Sequence, residues 1–239
     1  MSIIEVHELS KVYNPGESET VALSDATFSI EKGEFVAVIG PSGCGKSTLL
    51  HILGFLDRHT RGVYKFDGKT IDDYGEDALA KIRNTKMGFV FQAFNLLART
   101  TVLDNVKLPL VYSSIPEKLW DKKAKDAIES VGLNHRINHE SSQLSGGEKQ
   151  RVAIARALVM QPEVIFADEP TGNLDSKSGR VIMEILQGLS EDKGHTVVLI
   201  THETYTAEHA ERIIELKDGQ IVSDKKVVHR HNAKEFFRK

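Results

Sequence analysis

FVAVIGPSGCGKST, residues 35–48, joins a run of apolar residues to a glycine-rich loop that ends in a lysine, a serine and a threonine. A run apolar at every position is one buried on both faces, as a central strand of a parallel sheet is. Gly40, Gly43 and Gly45 let the following backbone wrap so that successive N–H groups face inward, and residues 47–53 read as a helix whose positive end faces the same point. The pattern G-x-x-x-x-G-K-[ST] is met at every fixed position, in the strand, loop and helix order that a phosphate loop needs. An anion is therefore expected on Gly40, Pro41, Ser42, Gly43, Cys44, Gly45, Lys46, Ser47 and Thr48. Lys46 would supply a point charge for β and γ phosphates, Ser47 a ligand for Mg2+, and Thr48 a contact to the α phosphate. Cys44 is read as a small residue that contributes its backbone N–H.

Working outward, residues 3–9 and 26–30 have strand character, and 63–71 form a hairpin around Asp67-Gly68. Between residues 92 and 161 the composition turns helical, with candidates at 104–110, 117–131 and 148–160. Strand signals return at 164–167 and 196–200, and a second hairpin at 212–223 turns on Asp218-Gly219. The expected fold is α/β: a P-loop NTPase core with a mixed, largely parallel sheet, an antiparallel β patch and an inserted α-helical subdomain. One domain is expected, with residues 1–91 and 162–223 as the catalytic body, 92–161 as the helical subdomain and 224–239 as a basic, solvated tail.

Bulk properties narrow the class. The chain has 239 residues, enough for one well-buried α/β domain but not for two of full size. Its 34 acidic and 31 basic residues leave a net charge of −3, so nucleic acid is not an expected partner. The longest apolar runs are strand-length, short of the roughly 20 residues of a membrane-spanning helix. The first residues lack the form of a secretory signal, and the single cysteine, Cys44, cannot form an internal disulfide, so a cytoplasmic location is expected.

Other strand ends carry chemistry. VIFADE, residues 164–169, closes an apolar strand with two carboxylates whose side chains alternate, so they can do different work. Asp168 is expected in the Mg2+ shell and Glu169 as the general base for the attacking water. His202, after the strand at 196–200, is expected to contact the γ phosphate, and Gln92, after residues 87–91, to touch the metal or its water.

LSGGEKQR, residues 144–151, raises a separate problem because it looks like a second anion cradle. Ser145 and Glu148 have the spacing of a capping box, and an amphipathic helix follows. Gly146 and Gly147 in its first turn cost helix stability while leaving backbone N–H groups bare. One nucleotide cannot readily rest on both cradles of one chain, but two copies about a two-fold axis can share them. ATP on residues 40–48 of one chain would then be covered by Leu144, Ser145, Gly146, Gly147 and Glu148 of the other.

Taken in order, the phosphate loop, Gln92, LSGGE, VIFADE, TGNLD and His202 resemble an ABC-transporter ATP-binding subunit over roughly residues 3–223. FQAFNLL and DEPTGNLDSKSG are most similar to the lipoprotein-releasing, macrolide-exporting and antimicrobial-peptide-exporting branch. The resemblance implies an ATPase that dimerises around two ATP molecules to drive an integral membrane permease on a separate chain, at the inner face of the cell membrane. It also implies that Tyr13 stacks on adenine, that Asp175 joins the active sites across the dimer, and that residues 93–100 touch the permease. The rival expectation is a soluble ABC ATPase without a permease, of the type serving iron–sulfur cluster assembly.

Overall fold

A computed structural model describes residues 1–232 apart from Pro15 and Glu17. The strands are β1 (Ser2–Tyr13), β2 (Thr20–Glu31), β3 (Phe35–Ile39), β4 (Arg61–Phe66), β5 (Lys69–Thr70), β6 (Met87–Val90), β7 (Val164–Asp168), β8 (Thr196–Thr201), β9 (Arg212–Lys217) and β10 (Gln220–Lys226). The helices are α1 (Lys46–Leu53), α2 (Glu76–Lys86), α3 (Val102–Val111), α4 (Trp120–Ser130), α5 (Gly146–Leu158), α6 (Ser176–Glu191) and the single turn α7 (Thr204–Ala207). One sheet has the order β2-β1-β4-β5 and is antiparallel; the other runs β10-β9-β3-β8-β7-β6, parallel except for β10. Both hairpin turns put an Asp-Gly pair at positive φ, Asp67 at 51° with Gly68 at 76°, and Asp218 at 47° with Gly219 at 79°. That backbone matches the right-handed twist of the flanking strands. The expected fold class is what the chain adopts.

Alternation along the central strands divides the core. Phe35 and Ala37 of β3 face one cluster with α3, α4, α5 and α6, while Val36 and Val38 face a second with α1 and the antiparallel sheet. The helices of residues 92–161 thus share their core with the body of the protein. Besides the single turn α7, two helices go beyond the sequence expectation. Helix α2 buries Leu79 alone, which leaves almost no apolar period to read. Helix α6 has a clear stripe, Ile182, Leu186 and Leu189, and is started by Asp175, whose carboxylate accepts from the Ser178 N–H at 2.9 Å.

The end of the chain needs a correction. Residues 224–226 are exposed to solvent, but they continue β10 rather than forming a free tail, with Asp224 paired to Arg212. Arg230 then bridges to Glu191 at 2.7 Å and donates to the His209 carbonyl, while His231 pairs with Glu208 at 2.9 Å. Carboxylates of α6 and of the turn before β9 hold the basic side chains down. Residues 233–239, the rest of the expected tail, lie outside the described residues.

Candidate nucleotide site

Parallel register assembles the site. Ile39 pairs with Thr201, Asp168 with Ile200, and Val90 with Ala167, so β3, β8, β7 and β6 end at one edge and their next residues meet there. A cleft of about 340 Å3 at that edge is lined by Ser42, Gly43, Gly45, Lys46, Ser47, Gln92, Asp168, Glu169 and His202. Residues spread over 160 positions of sequence are thereby brought to one place, as the sequence expectation required.

The loop's glycines have identifiable reasons. A Cβ on Gly45, at φ 104°, would stand 2.3 Å from the Ala22 carbonyl oxygen, and one on Gly40 would stand 2.1 Å from that of Leu216. Both positions press the loop against neighbouring backbone. Gly43, at φ 81°, has open space before it on the cleft side. The Lys46 ammonium donates to the Gly40 and Pro41 carbonyls at 2.7 and 2.9 Å, which holds it inside the curve of the loop. Cys44 is buried beneath, its N–H donating to Pro41 and its carbonyl accepting from Gly219. Pro41, Gly40, Cys44 and the half-buried Thr48 belong to the loop or its helix without lining the cleft.

Across the cleft, Glu169 adopts φ 44°, a left-handed conformation that a glutamate holds only when its surroundings fix it. Its Oε1 lies 2.7 Å from His202 Nδ1, and its Oε2 accepts from Thr201 Oγ at 3.2 Å. The hydrogen bond to Glu169, reinforced by the carboxylate's charge, raises the His202 imidazole above its ordinary range. Burial raises the Asp168 carboxyl, and the charge of Glu169 adds to it, against the opposing pull of His51 and Lys46. Gln92 donates weakly to Asn173 Oδ1 at 3.4 Å, and Asn173 donates back to the Gln92 carbonyl at 3.0 Å. Thr201 and Asn173 were not anticipated; the signal for each was only its place beside His202 and within TGNLD.

The second cradle is built as a capped helix start. Ser145 Oγ accepts from the Glu148 N–H at 3.3 Å, and Glu148 Oε2 accepts from the Ser145 N–H at 2.8 Å. Arg136 also holds Glu148, at 3.0 Å. The glycines here have a second reason besides bare N–H groups, because a Cβ on Gly147 would stand 2.7 Å from Ser178 Oγ. Leu144 is buried in the core, so its side chain anchors the helix start. None of residues 144–148 lines the cleft of the phosphate loop. Nor does Tyr13, whose hydroxyl donates to Asp57 at 2.8 Å and whose ring lies 4.7 Å from the Lys11 ammonium. Asp175 is exposed at the start of α6.

Known proteins resemble this chain along most of its length. The family model described as "ABC transporter" matches residues 23–172. An uncharacterized ABC transporter ATP-binding protein of Methanocaldococcus jannaschii is 49% identical over 220 residues, 92% of this chain and 98% of that protein. The macrolide export ATP-binding/permease protein MacB of Chlorobaculum tepidum is 50% identical over 224 residues, which are 94% of this chain and 34% of MacB, so the chain spans about a third of that relative. The dimeric ATP-binding cassette MJ0796, in a post-hydrolysis state bound to ADP and Pi, superposes with a TM-score of 0.85 at 44% identity, covering 94% of this chain and 98% of that one. With the phosphate loop, the strand-end carboxylates and the glycine-fronted helix all in place, this chain belongs to the ABC transporter family, as an ATP-binding subunit.

Proposed function

We propose that this chain is the motor of an exporter, hydrolysing ATP at two sites that each join the phosphate loop of one copy to the α5 start of the other. The observation that carries the proposal is that residues 144–148 form a capped, glycine-fronted helix start outside the cleft where Lys46, Asp168, Glu169 and His202 meet. The dimeric state of the similar cassette MJ0796 supports the pairing. Glu169 takes the proton of the attacking water, and His202, linked to it at 2.7 Å, orients it and contacts the γ phosphate. Lys46 and the N–H groups of the loop stabilise phosphate charge as it develops.

Ser47, Gln92 and Asp168 line the same cleft and fit a Mg2+ ion, which commonly takes one or two protein oxygens and completes its shell from phosphate and water. Bound there, the ion would neutralise charge on the phosphates. Tyr13 and Asp175 are assigned to adenine stacking and to the contact between sites. Neither lines the phosphate cleft of the single chain: adenine would lie beyond it, and Asp175 would act at the contact with the partner.

The permease is proposed to dock in a second cleft of about 700 Å3, lined among others by Leu56, Met87, Phe89, Phe91 and Tyr112. It is largely apolar and adjoins Gln92 through Phe91, so a segment seated there can push on the catalytic loops. Among the described residues no helix is long and apolar enough to cross a membrane, so the chain would sit at the inner face of the membrane by this contact. Export of a lipoprotein, peptide or drug is the proposed task, on the similarity to MacB. Co-purification with an integral membrane protein separates this from a soluble ABC ATPase.

Ser145→Arg tests the shared site. Hydrolysis should fall below detection while the isolated subunit keeps its ATP affinity within about twofold, because the arginine blocks only the partner's nucleotide. Equal loss of binding would place Ser145 at its own chain's nucleotide and refute sharing.

A further inference from the structure

Gln150 of α5 is fully buried on the face shared by Ala153, Ile154 and Ala157, where the helical period calls for an apolar side chain. Its Nε2 donates to two backbone carbonyls, that of Phe91 at 3.3 Å and that of Pro170 at 2.8 Å. Phe91 immediately precedes Gln92, and Pro170 immediately follows Glu169. The amide's Oε1 is buried without a partner. Turning the amide over would set that oxygen against both carbonyls, so only one orientation fits.

Stability alone does not account for this residue. A buried acceptor left unsatisfied is destabilising, a cost that a methionine of similar volume would avoid. What the amide provides is a fixed distance between two strained turns. Glu169 holds φ 44° on one side, and Phe94 and Asn95 hold φ 60° and 49° on the other. Non-glycine residues keep such angles only where neighbours over-determine them. Arg156, further along the same helix, donates to the Phe94 and Asn95 carbonyls and completes the grip on the second turn.

We infer that Gln150 is a positioning residue for hydrolysis, setting the turns that carry Gln92 and Glu169 together and tying both to the helix whose first residues cover the partner's nucleotide. This rests on the proposed roles of Gln92, Glu169 and Ser145. Movement of α5 when it meets the partner's phosphates is thereby felt at the catalytic loops of its own chain, which gives the two sites a direct mechanical link.

The test is steady-state ATP hydrolysis by the full chain. Gln150→Met keeps the volume and removes both donors, so kcat should fall about tenfold or more while KM and ATP affinity stay within about twofold. Gln150→Glu adds a pH signature: burial and the two carbonyls favour its neutral form, which can donate one hydrogen bond. Its kcat relative to wild type should therefore rise as pH falls from about 8 to about 6. The inference is overturned if Gln150→Met keeps kcat within about twofold, or if kcat and affinity fall by the same factor. Should Gln150→Met fail to fold, a flat ratio for Gln150→Glu across pH overturns it instead. Glu169→Gln, assayed alongside, separates this from failure of the underlying site: normal turnover in that variant would remove the basis for both.

Discussion

Glu169→Gln is the most direct perturbation of the site. The amide is nearly isosteric with the carboxylate. One oxygen can still meet His202 Nδ1, and the Thr201 hydroxyl can rotate to accept from the new N–H in place of its bond to Oε2. The backbone at φ 44° and its bond from the Glu169 N–H to Ile200 are untouched, so the turn should hold. What disappears is the proton acceptor. General base catalysis is worth about 10²–10⁴ in rate, or about 2.7–5.4 kcal/mol at 1.36 kcal/mol per decade. We expect kcat to fall by at least about 100-fold with ATP affinity changed less than about threefold. Taking a pair of subunits from 1:99 to 99:1 closed requires about 5.5 kcal/mol, or roughly 3 per nucleotide, so the variant should accumulate as an ATP-loaded dimer. Size-exclusion chromatography with ATP reads the dimer, and phosphate release reads kcat.

The same variant has a titration signature. His202 is raised chiefly by its hydrogen bond to the Glu169 carboxylate, so its titration should move down in Glu169→Gln, as followed by NMR. In wild type that interaction stabilises the fold most fully below the ordinary histidine value of 6.5 and fades as pH rises through the raised folded value. The imidazole is exposed, so the effect on stability is small. Wild-type turnover by Glu169→Gln would refute the base assignment, and a collapse of ATP affinity would mean that the carboxylate shapes the site rather than the chemistry.

Two further substitutions probe the same edge of the sheet. Gly45→Ala forces a Cβ to within 2.3 Å of the Ala22 carbonyl at φ 104°, so ATP affinity should fall at least about tenfold with a lowered melting temperature; unchanged binding by calorimetry would show that the loop can relax. Asp168→Asn should lower kcat at least about 100-fold and weaken the Mg2+ dependence of ATP binding. Because burial raises the Asp168 carboxyl above its ordinary 3.8, ionisation costs stability as pH rises through the raised folded value. The variant should thus melt higher than wild type at neutral pH, and a lower melting temperature would contradict that sign.

How much was legible in the sequence differs from residue to residue for physical reasons. The phosphate loop was readable because its strand, glycines and helix are contiguous, and local geometry decides what such a stretch can do. Asp168, Glu169 and His202 were readable because each follows an apolar run that could only be a strand end. The capping box at Ser145 and Glu148 was equally local, and it formed as expected. Gln150 was not readable in its role. A glutamine on an apolar helical face signals that something is amiss, but its two acceptors lie 59 residues before it and 20 after it. Helix α2 was missed because it rests on the surface with a single buried residue. The docking of Arg230 and His231 was missed because a run of basic residues looks the same whether or not acidic partners fold in beneath it.

By itself, then, the sequence determined the family, the order of elements and the identity of the groups along the cleft edge, since each is written in a short stretch whose periodicity or glycine pattern admits one backbone. Only the tertiary structure decided which of those groups touch. The parallel register of β3, β8, β7 and β6 places Glu169 against His202 and Thr201, leaves Tyr13 and residues 144–148 outside that cleft, and hands Gln150 two distant turns to hold. Contacts of that kind depend on how sheets and helices pack in three dimensions, and no local pattern encodes them.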